Sequence, residues 1–160
     1  MIQLGGHQRS RIPAAFAVVD AADAAWANQW KWSLIQGYAA RLEKGADGVK
    51  RHVRLHRALL GLEHNDGKVC DHINRDMLDN RRANLRVGTQ TLNCQNTPSR
   101  RGASSRFRGV RRTHSGNWQA FAYLSGKFHG LGVFVSEDDA ARAASEFRRE
   151  HMPWAVEVSA

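Results

Sequence analysis

From Pro98 to Ser105 the chain is made of Pro, Ser, Arg, Gly and Ala, with no apolar periodicity. A stretch that offers no repeating apolar face cannot pack as a helix or strand, so it is a linker candidate, basic rather than neutral. At 160 residues and 42% hydrophobic, the chain can bury one moderate core or two small ones. The linker favours two. The expected organisation is a first domain over 1–97, a basic linker over 98–106, a second domain over 107–151 and a tail over 152–160.

Charge narrows the partner. A net charge of +9 and a pI near 10.5 suit a polyanion, because clustered Lys and Arg release condensed counterions from nucleic acid. A basic protein that is merely soluble remains the plain alternative. Six arginines and no acidic residue lie between Arg100 and Arg112, the densest positive run in the chain. Cys70 and Cys94 have no CxxC partner, so neither a disulfide framework nor structural zinc is expected. Met1 to Arg11 lacks the apolar run of a signal peptide, and no segment approaches transmembrane length. These features predict an intracellular, cytoplasmic protein with no membrane partner, monomeric and needing no obligatory protein partner.

In the first segment, Phe16, Val18 and Val19 predict a strand. Asp20 and Asp23 are candidate N-caps for a short helix with Trp26 and Trp30 on one face, and these, with Trp32, are assigned to the core. Gly45 to Gly48 breaks a hairpin whose arms are Tyr38–Leu42 and Val49–Leu55. Lys50, His52, Arg54 and His56 alternate onto one face of the second arm, either simply solvated or in contact with a DNA backbone. A short helix over 57–62, strands over 68–72 and 84–87, and a helix from Thr89 to about Asn96 complete the segment. In the second segment, strands are expected over 107–112, 117–124 and 128–135. A helix capped by Ser136 follows, with Glu137, Asp138 and Asp139 in its first turn and Ala140, Ala144 and Phe147 on one face. The fold class is α+β, the second part being a three-stranded antiparallel sheet packed on one helix.

The chemistry concentrates at Asp71 and His72. Magnesium prefers oxygen ligands and keeps several waters, so Asp71 and the amide oxygen of Asn93 make a credible site if the strand end faces the helix start. His72 suits a different task, since a near-neutral imidazole can take a proton from an attacking water. Alternation along a strand points the two side chains apart, separating base from metal. An Asp-His pair that only caps a turn is the competing explanation.

The stretch from Val69 to Asn93 closely resembles the ββα-metal core of HNH endonucleases, particularly phage and intron homing enzymes. The Asp71-His72 pair, Asp79-Asn80, Asn84-Leu85-Arg86, Thr89-Gln90 and Asn93 fall in the family's order. Phe16–Asp20, Trp30–Ser33, Gly37–Ala39 and Leu55–Arg57 look like the N-terminal region that accompanies that core, so the resemblance covers nearly all of 14–97. It implies that Asp71 and Asn93 bind one Mg2+ (or Mn2+), that His72 is the general base and that Asn84 holds the loop that orients it. Asn93 stands where the family's name has His, as in the homing subgroup. His56 is either a second-layer or phosphate contact or a packing residue.

Phe107–Arg112, Gly116–Ala120, Leu131–Phe134 and Glu137–Ala143 resemble the APETALA2 DNA-binding domain of plant ethylene-response factors. That resemblance implies major-groove contacts from Arg108 and Arg111 of the first strand, with Arg112 beside them. Arg can bond guanine bidentately, whereas Arg100, Arg101 and Arg106 are expected on phosphates. Trp118, Ala120 and Ala122 would face the helix, leaving Gln119, Phe121 and Tyr123 toward DNA. The expected function is a site-preferring endonuclease on double-stranded DNA, a nickase or homing enzyme. The alternatives are a DNA-binding regulator with a degenerate nuclease core, and RNA cleavage.

Overall fold

The computed structural model describes residues 1–5, 15–98 and 102–156. The chain divides into two compact units, Met1–Thr89 and Gln90–Ala160. Arg100 and Arg101 lie outside the described residues. Among the described residues no helix is long and apolar enough to cross a membrane. Among the described residues the architecture is mixed α and β, with three sheets and short helices apart from the last.

The first unit is built on a five-stranded sheet: β1 (Ile2–Gly5), β2 (Ala15–Ala17), β3 (Trp32–Ile35), β4 (Tyr38–Lys44) and β5 (Lys50–Arg54), in the order β2-β1-β3-β4-β5. β1 was not anticipated, because four residues give too short an alternation to stand out. Its Ile2 and Leu4 are nonetheless buried, and it runs parallel to β3. Helix α1 (Ala21–Ala27) follows β2, and α2 (Leu55–Leu59) follows β5 directly. The hairpin β6 (Val69–His72) and β7 (Leu85–Gly88) is a separate antiparallel pair. One core holds the unit together, containing Ile2, Leu4, Ala17, Trp32, Leu55 and Leu85.

Two local details differ from expectation. Asp20 occupies the N-cap position of α1 but makes no side-chain cap bond. Its carboxylate accepts the backbone N–H of Arg82 at 2.8 Å, while Asp23 accepts the Arg82 guanidinium at 2.8 Å through both oxygens. These aspartates therefore tie α1 to the turn that opens β7. The tryptophans do form core, yet not from one helical face, since α1 ends at Ala27 before Trp30. The Trp26 and Trp30 rings meet edge to face at 4.8 Å, and the nearly inaccessible Trp32 donates its indole N–H to the Ala27 carbonyl at 2.8 Å.

The second unit begins with α3 (Gln90–Asn93) and a 3-10 turn over Cys94–Asn96. These residues were expected in the first domain. They are fastened within the second unit because Gln95 is buried, its side-chain oxygen accepts the Trp154 N–H at 3.1 Å and its carbonyl accepts Arg108. The sheet follows as β8 (Val110–Arg112), β9 (Trp118–Leu124) and β10 (Lys127–Phe134), antiparallel with β9 central, and α4 (Glu137–His151) closes the unit. Val110, Ala120, Ala140 and Ala144 form its core, with Phe107, Trp118, Leu131 and Phe134 around them.

β8 starts three residues later than the apolar pattern suggested. The chain turns at Gly109, where φ is +78° and a side chain would clash with the Phe121 carbonyl, so glycine is required there. On α4 the buried position after Ala144 belongs to Arg148, whose guanidinium donates to the Arg108 carbonyl at 2.6 Å. Phe147 is half-buried and stacks between His129 and His151. Ser136 makes no side-chain cap; Glu137 instead accepts the Ser105 hydroxyl at 2.7 Å.

Candidate functional site

The β6–β7 hairpin places Asp71 and His72 at the end of β6, directly before an irregular loop over 73–84. Such a loop has no ladder to satisfy its backbone, so side chains must do so. Asn84 is the centre of that arrangement. Its oxygen accepts the Asn74 N–H at 2.9 Å, and its amide nitrogen donates to Asn74 Oδ1 at 2.9 Å and to the Asp79 carbonyl at 2.8 Å. The Asn84 carbonyl accepts the Ile73 N–H, which follows His72 immediately. Both an acceptor and two donors are used on one side chain, a demand that only an amide meets.

The rest of the loop is closed by the same chemistry. Asn74 donates to Asp79 Oδ2 at 2.9 Å, and Arg81 grips both oxygens of Asp79 at 2.8 and 2.6 Å. The Arg81 guanidinium beside Asp79 holds its carboxyl down at about 2. Two backbone bonds anchor the loop to the strand region before α1: Val18 N–H to Leu78 O at 2.8 Å and Asn80 N–H to Val18 O at 2.7 Å.

Asp71 and His72 sit in contrasting environments. Asp71 lies directly across the hairpin from Arg86, which donates through Nε and Nη2 to Asp71 Oδ2 at 2.8 and 2.7 Å. His72 is only 4% exposed, and its Nε2 lies 3.4 Å from Asn80 Oδ1. Asn80 is itself oriented, since its amide nitrogen donates to the Leu78 carbonyl at 2.9 Å. An oxygen facing Nε2 favours the tautomer protonated there, leaving the lone pair on Nδ1. Burial pushes the His72 pKa below its ordinary value, an effect that Asn80, Asp71, Asp76 and Asp79 partly oppose. The imidazole is therefore neutral at pH 7, the form that can accept a proton.

His56 packs edge to face on His72 with ring centres 4.9 Å apart, and Tyr38 lies 5.2 Å from His56. Its 3% exposure rules out the phosphate contact considered for it, and burial first, then repulsion from His72 once that ring is protonated and from Arg54 and Arg57, brings its pKa down to about 3. The strand alternation that put His56 beside Arg54 breaks because α2 starts at Leu55. Arg54 stays exposed, with its guanidinium 4.6 Å from the centre of the Tyr38 ring.

Among the described residues, no three His, Cys, Asp or Glu side chains gather into a metal centre. A single carboxylate suits a hard cation that keeps its waters and takes substrate oxygens; it does not suit a closed zinc site. The Cys70 thiol, pushed up to about 12 by burial, is unsuited to binding metal. Asn93 ends α3, in the second unit.

In the second unit, Arg108 does not lie on a strand. Its guanidinium donates to the carbonyls of Gln95 and Cys94, so the chain itself occupies a residue expected to read bases. Arg111 pairs through Nε with Gln119 Oε1 at 2.8 Å and lies over the Phe121 ring. Arg112 lies over Trp118 and Arg106 over Phe107. Alternation along β9 buries Ala120 and Ala122 and leaves Tyr123 exposed.

The chain is similar to an uncharacterized HNH endonuclease, L560, of Acanthamoeba polyphaga mimivirus, with 29% identity over 120 residues. The match covers 70% of this chain and 62% of that protein, so the chain spans less than two thirds of its relative's length. No family model matches the chain, and no solved structure matches it.

Residues that sequence reasoning left without a role include Arg86, Asn74 and Asn80. Arg86 was recoverable from register, because an Asp and an Arg at matching distances from a hairpin loop face each other. Asn74 and Asn80 carry no such signal, since their partners, Asp79, Asn84 and His72 among them, are brought together by an irregular loop and not by strand register.

Replacing Asn84 with Ala removes three hydrogen bonds and should destabilise the first unit by about 1–3 kcal/mol. Asn84→Asp should not rescue it, because a carboxylate would face two oxygens that now receive donors; urea denaturation measures both. A second expectation concerns acid. The folded pKa of His56 lies below the unfolded 6.5, so its contribution is intact above pH 6.5 and is lost as pH falls toward about 3. The urea midpoint should fall between pH 7 and pH 5, and more shallowly in His56→Phe.

Proposed function

We propose that this chain is a metal-dependent HNH endonuclease that hydrolyses phosphodiester bonds in double-stranded DNA, a site-preferring nickase or homing-type enzyme. One observation carries the reading: consecutive residues at the end of β6 present a carboxylate held by Arg86 and a buried, neutral imidazole, above a loop clamped by Asn84. The likeness to a protein named as an HNH endonuclease supports it.

In this reading the Asp71 carboxylate would hold one Mg2+ or Mn2+ ion, and the family resemblance assigns Asn93 as the amide ligand. The bound ion would supply positive charge against the charge that develops on the phosphate and the leaving oxygen. His72 accepts the proton of the attacking water: its O–H bond breaks, an O–P bond forms, and the P–O bond to the leaving sugar oxygen breaks. Asn80 and His56 fix the imidazole from two directions. Arg86 orients the Asp71 carboxylate through two hydrogen bonds to one of its oxygens. Asn84 acts through the loop, as a positioning residue. Arg54 in the first unit, and separately Arg106, Arg111 and Arg112 in the second, offer positive charge to a DNA backbone, and the sequence adds Arg100 and Arg101 of the linker. A monomer with one site nicks one strand.

Supercoiled plasmid incubated with the protein and Mg2+ or Mn2+ should convert to open circles, and EDTA should stop the conversion. His72→Ala should slow it by roughly 10²–10⁴-fold, the range of general-base contributions. Undiminished nicking by His72→Ala would remove the base assignment. No cleavage of duplex DNA by the wild type would leave a DNA-binding regulator.

A further inference from the structure

The sheet of the second unit has two unlike faces. Toward α4 it presents Val110, Trp118 and Ala120, which form the core. On its other face, register places Arg111 beside Gln119, Gly130 beside Phe121 and Phe128 beside Tyr123. Three aromatic rings are contiguous there: Phe121 stacks on Phe128 at 5.9 Å, while Tyr123 meets Phe128 edge-on at 5.5 Å and Phe121 at 6.1 Å. Tyr123 is 60% and Phe128 46% exposed, although rings of this size normally seek burial. Gly130 leaves the strand beside Phe121 without a side chain.

Arg111 belongs to the same surface. Its guanidinium lies 5.2 Å from the centre of the Phe121 ring and 6.0 Å from that of Phe128, steered by the bond from Nε to Gln119. Charge is segregated along the chain: residues 98–136 contain seven Arg and Lys and no Asp or Glu, and the acids resume at Glu137 in α4. Arg111, Phe121 and Tyr123 also border a groove of about 1020 Å3 that Thr97, Ser104 and Phe107 line as well. That is at the upper end of the roughly 300–1,000 Å3 usual for a small-molecule pocket.

Duplex DNA shows a protein the edges of its bases, which are read by hydrogen-bonding side chains. This face offers three rings, one guanidinium within about 6 Å of two of them and one amide already bonded to it. Flat apolar groups match base faces, and those are available only where a strand is unpaired. We propose that the outer face of the β8–β10 sheet is a stacking platform for unpaired bases of a single-stranded polynucleotide. Phe121, Tyr123 and Phe128 take the bases, and Arg111 extends the stack and meets the backbone charge. The proposal deepens the reading of the second unit as the nucleic-acid grip and does not depend on cleavage.

The test is fluorescence anisotropy of the full chain in EDTA with labelled oligo-dT, oligo-rU and a mixed-sequence duplex of the same length. At least one single strand should bind as tightly as the duplex or more so; tighter oligo-dT assigns the platform to DNA, tighter oligo-rU to RNA. Tyr123→Ala and Phe128→Ala should each weaken single-strand binding by about 10-fold with unchanged melting temperature. Tyr123→Phe, which keeps the ring, should bind like the wild type. Preference for the duplex, or single-strand affinity unaffected by both Ala variants, would overturn the proposal. So would self-association, read by light scattering, that these variants abolish in a protein binding neither single strand. Because no metal is present, a failure here is separable from a failure to cut plasmid.

Discussion

The amide of Asn84 is the interaction on which the β6–β7 site depends. Twelve loop residues separate the strands of that hairpin, and a loop of that length without its own hydrogen bonds would leave the end of β6 unfixed. Asn84 closes it by bonding Asn74 at the start and Asp79 in the middle, while its own carbonyl holds Ile73 next to His72. The loop is tied in turn to α1 through Arg82 and to the residue after β2 through Val18. The positions of Asp71 and His72 are thus set by contacts that reach across sixty residues of chain.

Two consecutive side chains then acquire different chemistry from their surroundings. Cross-strand pairing with Arg86 keeps Asp71 in a charged environment, suited to an oxygen that meets a cation. His72 is enclosed by Asn80, Tyr38 and His56, and burial keeps it neutral. The cost is borne by His56, a buried imidazole whose Nδ1 has no hydrogen-bond partner. A buried unpaired polar atom destabilises a fold by about 1–3 kcal/mol, and here it lies beside the proposed base.

Much of this was legible in the sequence. The Gly45–Gly48 hairpin with its alternating second arm, the strand bearing Asp71 and His72 from its short apolar run, and the three strands before the last helix with their Ser-Gly turns were all legible. Where the reading failed, one interaction had overridden a local pattern. Asp20 and Asp23 look like caps but bond Arg82, a partner sixty residues away. Phe107 to Val110 reads as the start of a strand, yet the chain turns at Gly109, where the positive φ and the nearby Phe121 carbonyl leave room only for glycine. Arg108 looked outward-facing, but its guanidinium satisfies carbonyls of the 3-10 turn. Phe128 went unnoticed because its neighbours Phe121 and Tyr123 adjoin it only through the register of β9 and β10. The ββα-metal character of the hairpin is proposed from family resemblance, chemistry and likeness to one named relative, not from spacing alone.

The central claim is a division of labour between Asp71, which holds the metal, and His72, which takes the proton. The most direct measurement is single-turnover cleavage of a labelled duplex as a function of Mg2+ concentration for wild type, Asp71→Asn and His72→Ala. The account predicts that Asp71→Asn needs more Mg2+ for half-maximal rate, whereas His72→Ala lowers the maximal rate with its half-saturating Mg2+ unchanged. A shifted Mg2+ requirement in His72→Ala, or none in Asp71→Asn, would contradict it.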